Sequence, residues 1–346
     1  TYTFHEQDEP ESQLLRYLQQ KRMLLILDNA EGILDADLVL SILSNAPHLK
    51  LLVTTREALN VREEWCHPIA GMRLSDGDDP AADTDAIEFF VRCALRVRPE
   101  FQPAHEHVHV EAICRSVGGV PLAIELAAAW LKGLTCQQVA CELDQGIDLL
   151  TSSMRDVPER HRSLRAVLEQ SYRRLSVDEQ RVFRRLSLFR GGFQPEAAQT
   201  VAGASLPGLL GLVDKSVLQL GQDGRYRIHP LLRQMGEERL AAIADEHAIG
   251  AARHSAYYLD FLRDRRESVS GSDQRRVLHE LQVEMDNIRR AWRFAARHRE
   301  TRGLADALPC LFQYLWSRGR FVEGEQLMNE ACLLYTSDAA DDLLQV

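Results

Sequence analysis

Two short, uninterrupted apolar runs, each closed by polar residues, constrain this chain more than any other feature. Met23-Leu24-Leu25-Ile26-Leu27 ends at Asp28, and Leu49 to Val53 ends at Thr54-Thr55-Arg56. Runs of this length suit strands buried on both faces of a parallel sheet. Between them, residues 33–44 space their apolar positions as a helix does, and Pro47 breaks that pattern. Strand, helix and strand at this spacing make one βαβ unit. His67 to Leu74 offers a further strand. An acid at the carboxyl end of a buried strand lies where open α/β sheets bind ligands. Asp28 is therefore a candidate site residue, with a helix cap or turn as the plain alternative.

The rest of the chain reads differently. Ser75 to Asp85 is acidic, holds Gly77 and Pro80, and has the character of a linker. From Asp85 to Leu150 the spacing is helical, interrupted by Gly118-Gly119-Val120-Pro121, where two glycines permit a tight turn and Pro121 suits a first helical turn. Asp156 to Arg165 is polar and leads to helices near 164–175 and 177–189, the second ended by Gly191-Gly192. Shorter helices follow at Pro195–Ala202 and Leu206–Lys215. Ser216–Leu220 and Tyr226–His229 alternate as strands around Gln222-Asp223-Gly224, a hairpin turn signal. A helix then begins at Pro230. Helices closed by a hairpin describe a winged helix. Residues 247–330 read as helical pairs that begin a repeat array, with no fixed period over so short a stretch. The fold class is α/β followed by all-α.

Composition excludes several functions. The chain has 346 residues, enough for two or three domains. No apolar run approaches the roughly 20 residues that cross a bilayer, and no export signal is visible, so the expectation is a cytoplasmic protein without a membrane partner. The 7 cysteines are scattered and read as reduced thiols. The net charge of −10 is uneven: residues 1–150 carry 12 basic against 24 acidic side chains, and residues 151–240 carry 15 against 10. An acidic surface repels phosphate. The arginine-rich middle could meet DNA, although solvated helix faces are its commoner origin. His105-Glu106-His107-Val108-His109 aligns its histidines only on a strand. Because the region reads helical, metal binding is a weak reading. Cys136 and Cys141 are expected to be small buried residues. No Ser/His/Asp or Cys/His arrangement stands out.

Several of these segments together resemble a known family. Leu24-Leu25-Ile26-Leu27-Asp28-Asn29 resembles the Walker B strand of bacterial STAND-type ATPases, relatives of NB-ARC switches. Leu51-Leu52-Val53-Thr54-Thr55-Arg56-Glu57 is similar to their sensor strand, and Gly119-Val120-Pro121-Leu122-Ala123 to their lid helix. Pro158 to Arg165, with Phe189-Arg190-Gly191-Gly192-Phe193, resembles their winged-helix entry. His229-Pro230-Leu231-Leu232-Arg233 matches their post-wing motif, and Met285-Asp286-Asn287-Ile288 the start of their repeats. The likeness covers about 20–330. It implies a P-loop NTPase sheet over 1–75, a helical lid over 76–150, a winged helix over 151–246 and the start of TPR-like repeats over 247–330.

The resemblance also implies roles. Asp28 is the catalytic magnesium ligand, acting through water. Thr54, Thr55 and Arg56 lie on the nucleotide, with Arg56 at the terminal phosphate; a surface arginine pairing with Glu57 or Glu63 is its plain alternative. Pro121 packs on adenine, and His229 reaches the β-phosphate of ADP. The cofactor is ATP or ADP with Mg2+. Asn29 stands where active relatives place a second acid, and an amide cannot accept a proton from water; Glu31 falls on the helix side. The expectation is slow ATPase activity in a longer parent.

The phosphate-cradling run GxxxxGK[ST] is absent from this sequence, and in the family it precedes Walker B. With Thr1 in place of Met, the chain reads as an internal fragment that binds nucleotide weakly. Residues 331–346, including Cys332 to Asp342, resemble a translated sequencing adapter. The leading reading is an ATP/ADP-dependent switch in LuxR-type or SARP/AfsR-type transcriptional regulators. Its inducer or protein partner would bind the repeats, DNA would bind through an effector domain outside this segment, and self-association would depend on nucleotide. The alternatives are a winged helix that binds DNA directly and a nucleotide-inactive scaffold.

Overall fold

The structure, a computed structural model, describes residues 9–28, 30, 35–74, 85–146 and 164–331. The chain divides into two compact units, Thr1–Ala70 with Asp214–Ser216, and the remainder. In the first, the two apolar runs form parallel strands β1 (Leu24–Leu27) and β2 (Lys50–Val53), with Leu24 opposite Lys50 and Leu27 opposite Val53. Helix α1 (Pro10–Gln19) precedes them, and α2 (Ala36–Asn45) supplies the crossover. The Asp35 side chain caps α2 by accepting from Asp37 N. Leu18, Ile42, Ala46 and Leu49 form a small core, with Leu25 and Leu51 against it.

The sheet departs from expectation on its other face. Leu24, Ile26 and Leu52 are 53%, 59% and 52% exposed. Side chains alternate across a strand, and the small core takes in only the inward set, Leu25 and Leu51. The continuous apolar runs therefore belong to strands covered on one face among the described residues. Residues 67–74 form no strand. Instead Met72 N donates to Gly119 O at 2.8 Å, so this segment is tied to a glycine turn rather than to a sheet.

The second unit is helical apart from one hairpin. Its helices are α3 (Asp85–Val97), α4 (Pro103–Ser116), α5 (Pro121–Ala129), α6 (Cys136–Gln145), α7 (Leu164–Arg173), α8 (Val177–Leu186), α9 (Pro195–Ala202) and α10 (Leu206–Asp214). Strands β3 (Leu218–Leu220) and β4 (Tyr226–Ile228) follow, then α11 (Pro230–Ala241), α12 (Ala244–Arg263), α13 (Gln274–Arg297), α14 (Thr301–Ser317) and α15 (residues 321–331). Proline opens α4, α5, α9 and α11, where its missing N–H costs nothing and its fixed φ suits the first turn. Thr135 with Gln138, and Ser176 with Glu179, close capping boxes on α6 and α8. Because Ser176 caps α8, α7 stops at Arg173, short of the expected 175.

The hairpin turns where expected: Gly221 N donates to Arg225 O at 2.8 Å, and Gly224 takes φ +74°. β4 is paired on both sides, to β3 and to Phe193, which exchanges two 2.9 Å backbone bonds with Tyr226. One continuous core joins Phe183, Leu186, Phe193, Tyr258, Ile288 and Trp292 across these elements. No helix among the described residues is long and apolar enough to cross a membrane. Asn29, Glu31, the linker residues up to 84, Pro158 to Ser163, and the tail from Cys332 lie outside the described residues.

Candidate functional site

In the sheet unit, parallel pairing brings together two residues separated by 26 positions. Asp28 follows β1, Thr54 follows β2, and Thr54 Oγ1 donates to Asp28 Oδ1 at 2.6 Å. Thr54 N donates to Leu27 O at 2.9 Å, and Ala30 N to Thr54 O at 3.1 Å, so the backbone ladder runs through this pair. Asp28 is exposed. A carboxylate held at a strand end beside a hydroxyl is a suitable donor for a hard cation or its waters. Thr55 is placed otherwise: its hydroxyl donates to Glu57 O at 3.1 Å and accepts from Glu57 N at 3.2 Å, turning the chain after the strand. Arg56 is half-buried within this turn.

In the helical unit the site forms around Gly118-Gly119-Val120-Pro121. Both glycines are left-handed, with φ +62° and +70°. A Cβ on Gly118 would lie 2.3 Å from His229 Nε2, and one on Gly119 would lie 2.4 Å from Met72 O. The glycines therefore admit two close approaches as well as a turn. Pro121 opens α5 and is exposed. His229 is the N-cap of α11, and its Nδ1 accepts from Leu231 N at 3.3 Å. A neutral ring that accepts at Nδ1 carries its proton at Nε2. That atom is buried and makes no regular hydrogen bond. Burial lowers the His229 pKa below the ordinary imidazole value, partly offset by the Gly118 backbone, so the ring is neutral at pH 7. The result is an N–H donor, sealed from water, against Gly118, which lies three residues before Pro121. The Gly118 backbone meets this donor without a regular hydrogen bond, and a buried donor so placed favours a better acceptor.

Other candidates lose ground. His105, His107 and His109 lie on α4, where alternate spacing scatters them, and no metal-binding group of three occurs among the described residues. Cys136 is buried as expected, but Cys141 is exposed on α6. Several described arginines of the middle region pair with acids of the same unit. Arg184 and Arg185 share Glu246, Arg190 and Arg233 share Glu237, and Arg165 meets Glu238. For these arginines the counter-charge comes from the fold itself.

Sequence reasoning missed one cluster. Arg225, the residue before β4, pairs through Nη1 with Glu284 of α13, and both are almost fully buried. Asn287, on the next turn of α13, donates to Gly192 O and Glu284 Oε2, each at 2.9 Å, and accepts from Arg190 N at 2.6 Å. Two motifs, Arg190-Gly191-Gly192 and Met285 to Ile288, thus meet across about a hundred residues of chain. The only advance signal was a charged and an amide residue on the apolar face of a helix.

The chain is similar to bacterial transcriptional regulators. It is 34% identical over 335 residues to a protein of Mycobacterium tuberculosis (strain H37Rv) named as a candidate HTH-type transcriptional regulator, covering 91% of this chain and 36% of that one. The regulatory protein AfsR of Streptomyces coelicolor is 30% identical over 233 residues, 62% of this chain and 21% of its own. An uncharacterized protein of M. tuberculosis matches at 32% over 250 residues, 68% of this chain and 62% of that one. The chain thus spans about a third of the length of the mycobacterial regulator. No family model matches it. Among solved structures, a STAND protein with a tetratricopeptide repeat sensor from Pyrococcus horikoshii aligns over 95% of this chain and 52% of its own. That alignment has 16% identity and a TM-score of 0.24, too loose to bear on the fold.

Proposed function

We propose that this chain is part of an ATP/ADP-dependent switch within a transcriptional regulator, assembled from a P-loop NTPase sheet, a helical lid, a winged helix and the first TPR-like repeats. The observation that carries the reading is the buried Nε2–H of His229 against the Gly118 turn. A donor held in that setting matches a phosphate oxygen, the strongest acceptor a nucleotide offers. The Asp28–Thr54 pair at the carboxyl ends of the two strands is consistent with the same reading.

In this proposal Asp28 holds Mg2+ through water, and Thr54 and Arg56 serve the phosphates. Thr55 contributes by shaping the turn, since its hydroxyl is engaged with Glu57. Pro121 meets the base and His229 the β-phosphate. A bound nucleotide would supply a polyanion whose exchange, diphosphate for triphosphate, shifts the population of domain arrangements. The inducer would bind the helical repeats, and DNA would be met by an effector domain elsewhere in the longer protein. Nucleotide-dependent self-association belongs to the same proposal.

The test is a titration with a fluorescent ADP analogue, with and without Mg2+, on this chain and on the native polypeptide that contains it. Micromolar binding to the native polypeptide, weakened by His229→Ala and made insensitive to Mg2+ by Asp28→Ala, is expected. No binding by the native polypeptide at that level ends the reading.

A further inference from the structure

We infer that Glu284 and Asn287 of α13 are positioning residues for His229, acting through the single strand that joins Arg225 to His229. The inference rests on the proposed function for its purpose, but not for its test. At one end of that strand, Arg225 donates through Nη1 to Glu284 and through Nη2 to Gly192 O at 3.0 Å. Tyr258 OH donates to Glu284 Oε2 at 3.0 Å, and Asn287 binds the loop backbone on both sides of Gly191. Arg225, Glu284, Asn287 and Tyr258 are all buried. Gly191 and Gly192, at φ +73° and +101°, let this loop lie against the helix; a Cβ on Gly192 would sit 3.0 Å from Tyr226 O.

At the other end, His229 caps α11 and rests on the Gly118 turn. The four steps between, Arg225 to His229, run through β4, which is bonded to β3 on one edge and to Phe193 on the other. An extended segment of that length spans about 13 Å and, paired on both edges, has little freedom to bend. A shift of α13 relative to the loop therefore moves the imidazole relative to Gly118. An apolar contact could anchor the hairpin equally well for stability. A buried ion pair with satisfied amides adds a defined register, because its hydrogen bonds hold in one alignment only. α13 carries the motif that begins the proposed repeat array. Occupancy of the repeats by an inducer would thus reach the lid turn by a route made of named contacts.

The experiment is an NMR titration of His229 in the full chain with labelled histidine, assigned with His229→Gln. It needs no nucleotide, so loss of the switch reading would leave it intact. In Glu284→Gln and Asn287→Ala, the His229 midpoint should move up, toward the ordinary value of about 6.5, with shifted Gly118 and Gly119 amides. The control is Trp292→Phe, also on α13, which removes the bond from Trp292 Nε1 to Leu327 O of α15 and should lower stability without moving His229. Coupling is reciprocal, so His229→Gln should displace the Asn287 side-chain amide resonances. That arm does not depend on the α13 variants folding. An unmoved His229 midpoint in folded variants, or an unmoved Asn287 amide in His229→Gln, overturns the inference and leaves the cluster a structural anchor.

Discussion

Replacing Glu284 by leucine removes the carboxylate that faces Arg225 and keeps the volume nearly constant. The wild-type pair is buried, with Arg225 5% exposed and Glu284 6%. Removing one member leaves a guanidinium without its counterion in the interior, and such losses cost about 3–5 kcal/mol. Tyr258 OH loses its acceptor as well, whereas Asn287 keeps Gly192 O. In a unit of this size each kcal/mol lowers Tm by roughly 2–4 °C, so a fall on the order of 10 °C is expected. Arg225→Leu combined with Glu284→Leu removes both charges and should restore at least half of the loss, because an apolar pair has no desolvation cost. Urea unfolding followed by circular dichroism and tryptophan fluorescence measures both variants, and an unchanged slope keeps the comparison valid. A single variant that costs under about 1 kcal/mol, or a double variant no more stable than Glu284→Leu, refutes the reasoning. Either result would mean that water reaches the pair.

Other outcomes follow from single features. His254 is 2% exposed, and burial, then repulsion from Arg290, push its pKa down to about 3, with Asn287 opposing. A depressed imidazole pKa favours the fold above the ordinary value near 6.5, and that stability is lost as pH falls from there toward 3, by up to about 4–5 kcal/mol. His254→Leu should flatten the acid limb of stability against pH; an unchanged limb would assign it to other groups. Gly118→Ala places a methyl on His229 Nε2 at a left-handed φ and should cost about 1–3 kcal/mol, read as lower Tm. Burial raises the thiols of Cys114 and Cys136 to about 12 and that of Cys310 to about 11. A thiol reagent at pH 8 should therefore label the exposed Cys141 and Cys66 first and spare those three until the chain unfolds, and rapid labelling of Cys114 would show the helical core to be open.

Much of the local structure was legible because its causes are local. The two apolar runs form strands, the helix between them forms a crossover, and the hairpin turns at Gln222-Asp223-Gly224. Asp28 and Thr54 could be placed together once the strands were taken as parallel, since parallel neighbours end at the same edge. Thr55 could not be separated from Thr54, because the turn that engages its hydroxyl depends on the path after the strand. The one-sided burial of the sheet was equally hidden. An apolar run records what a strand can bury, while its cover comes from other parts of the fold.

By itself the sequence determined where helices begin, through prolines at first turns and the capping pairs Thr135–Gln138 and Ser176–Glu179, and where the chain reverses. These are short-range energies, settled by neighbours within one turn of helix or one hairpin. Only the tertiary structure decided that His229 lies on Gly118, and that Arg225 and Asn287 meet across the loop at Gly192. Those contacts join residues tens of positions apart, and each polar group in them is tolerable in the interior only because folding brings its partner. No periodicity encodes such a pairing, since it depends on the packing of whole elements and not on the spacing within any one of them.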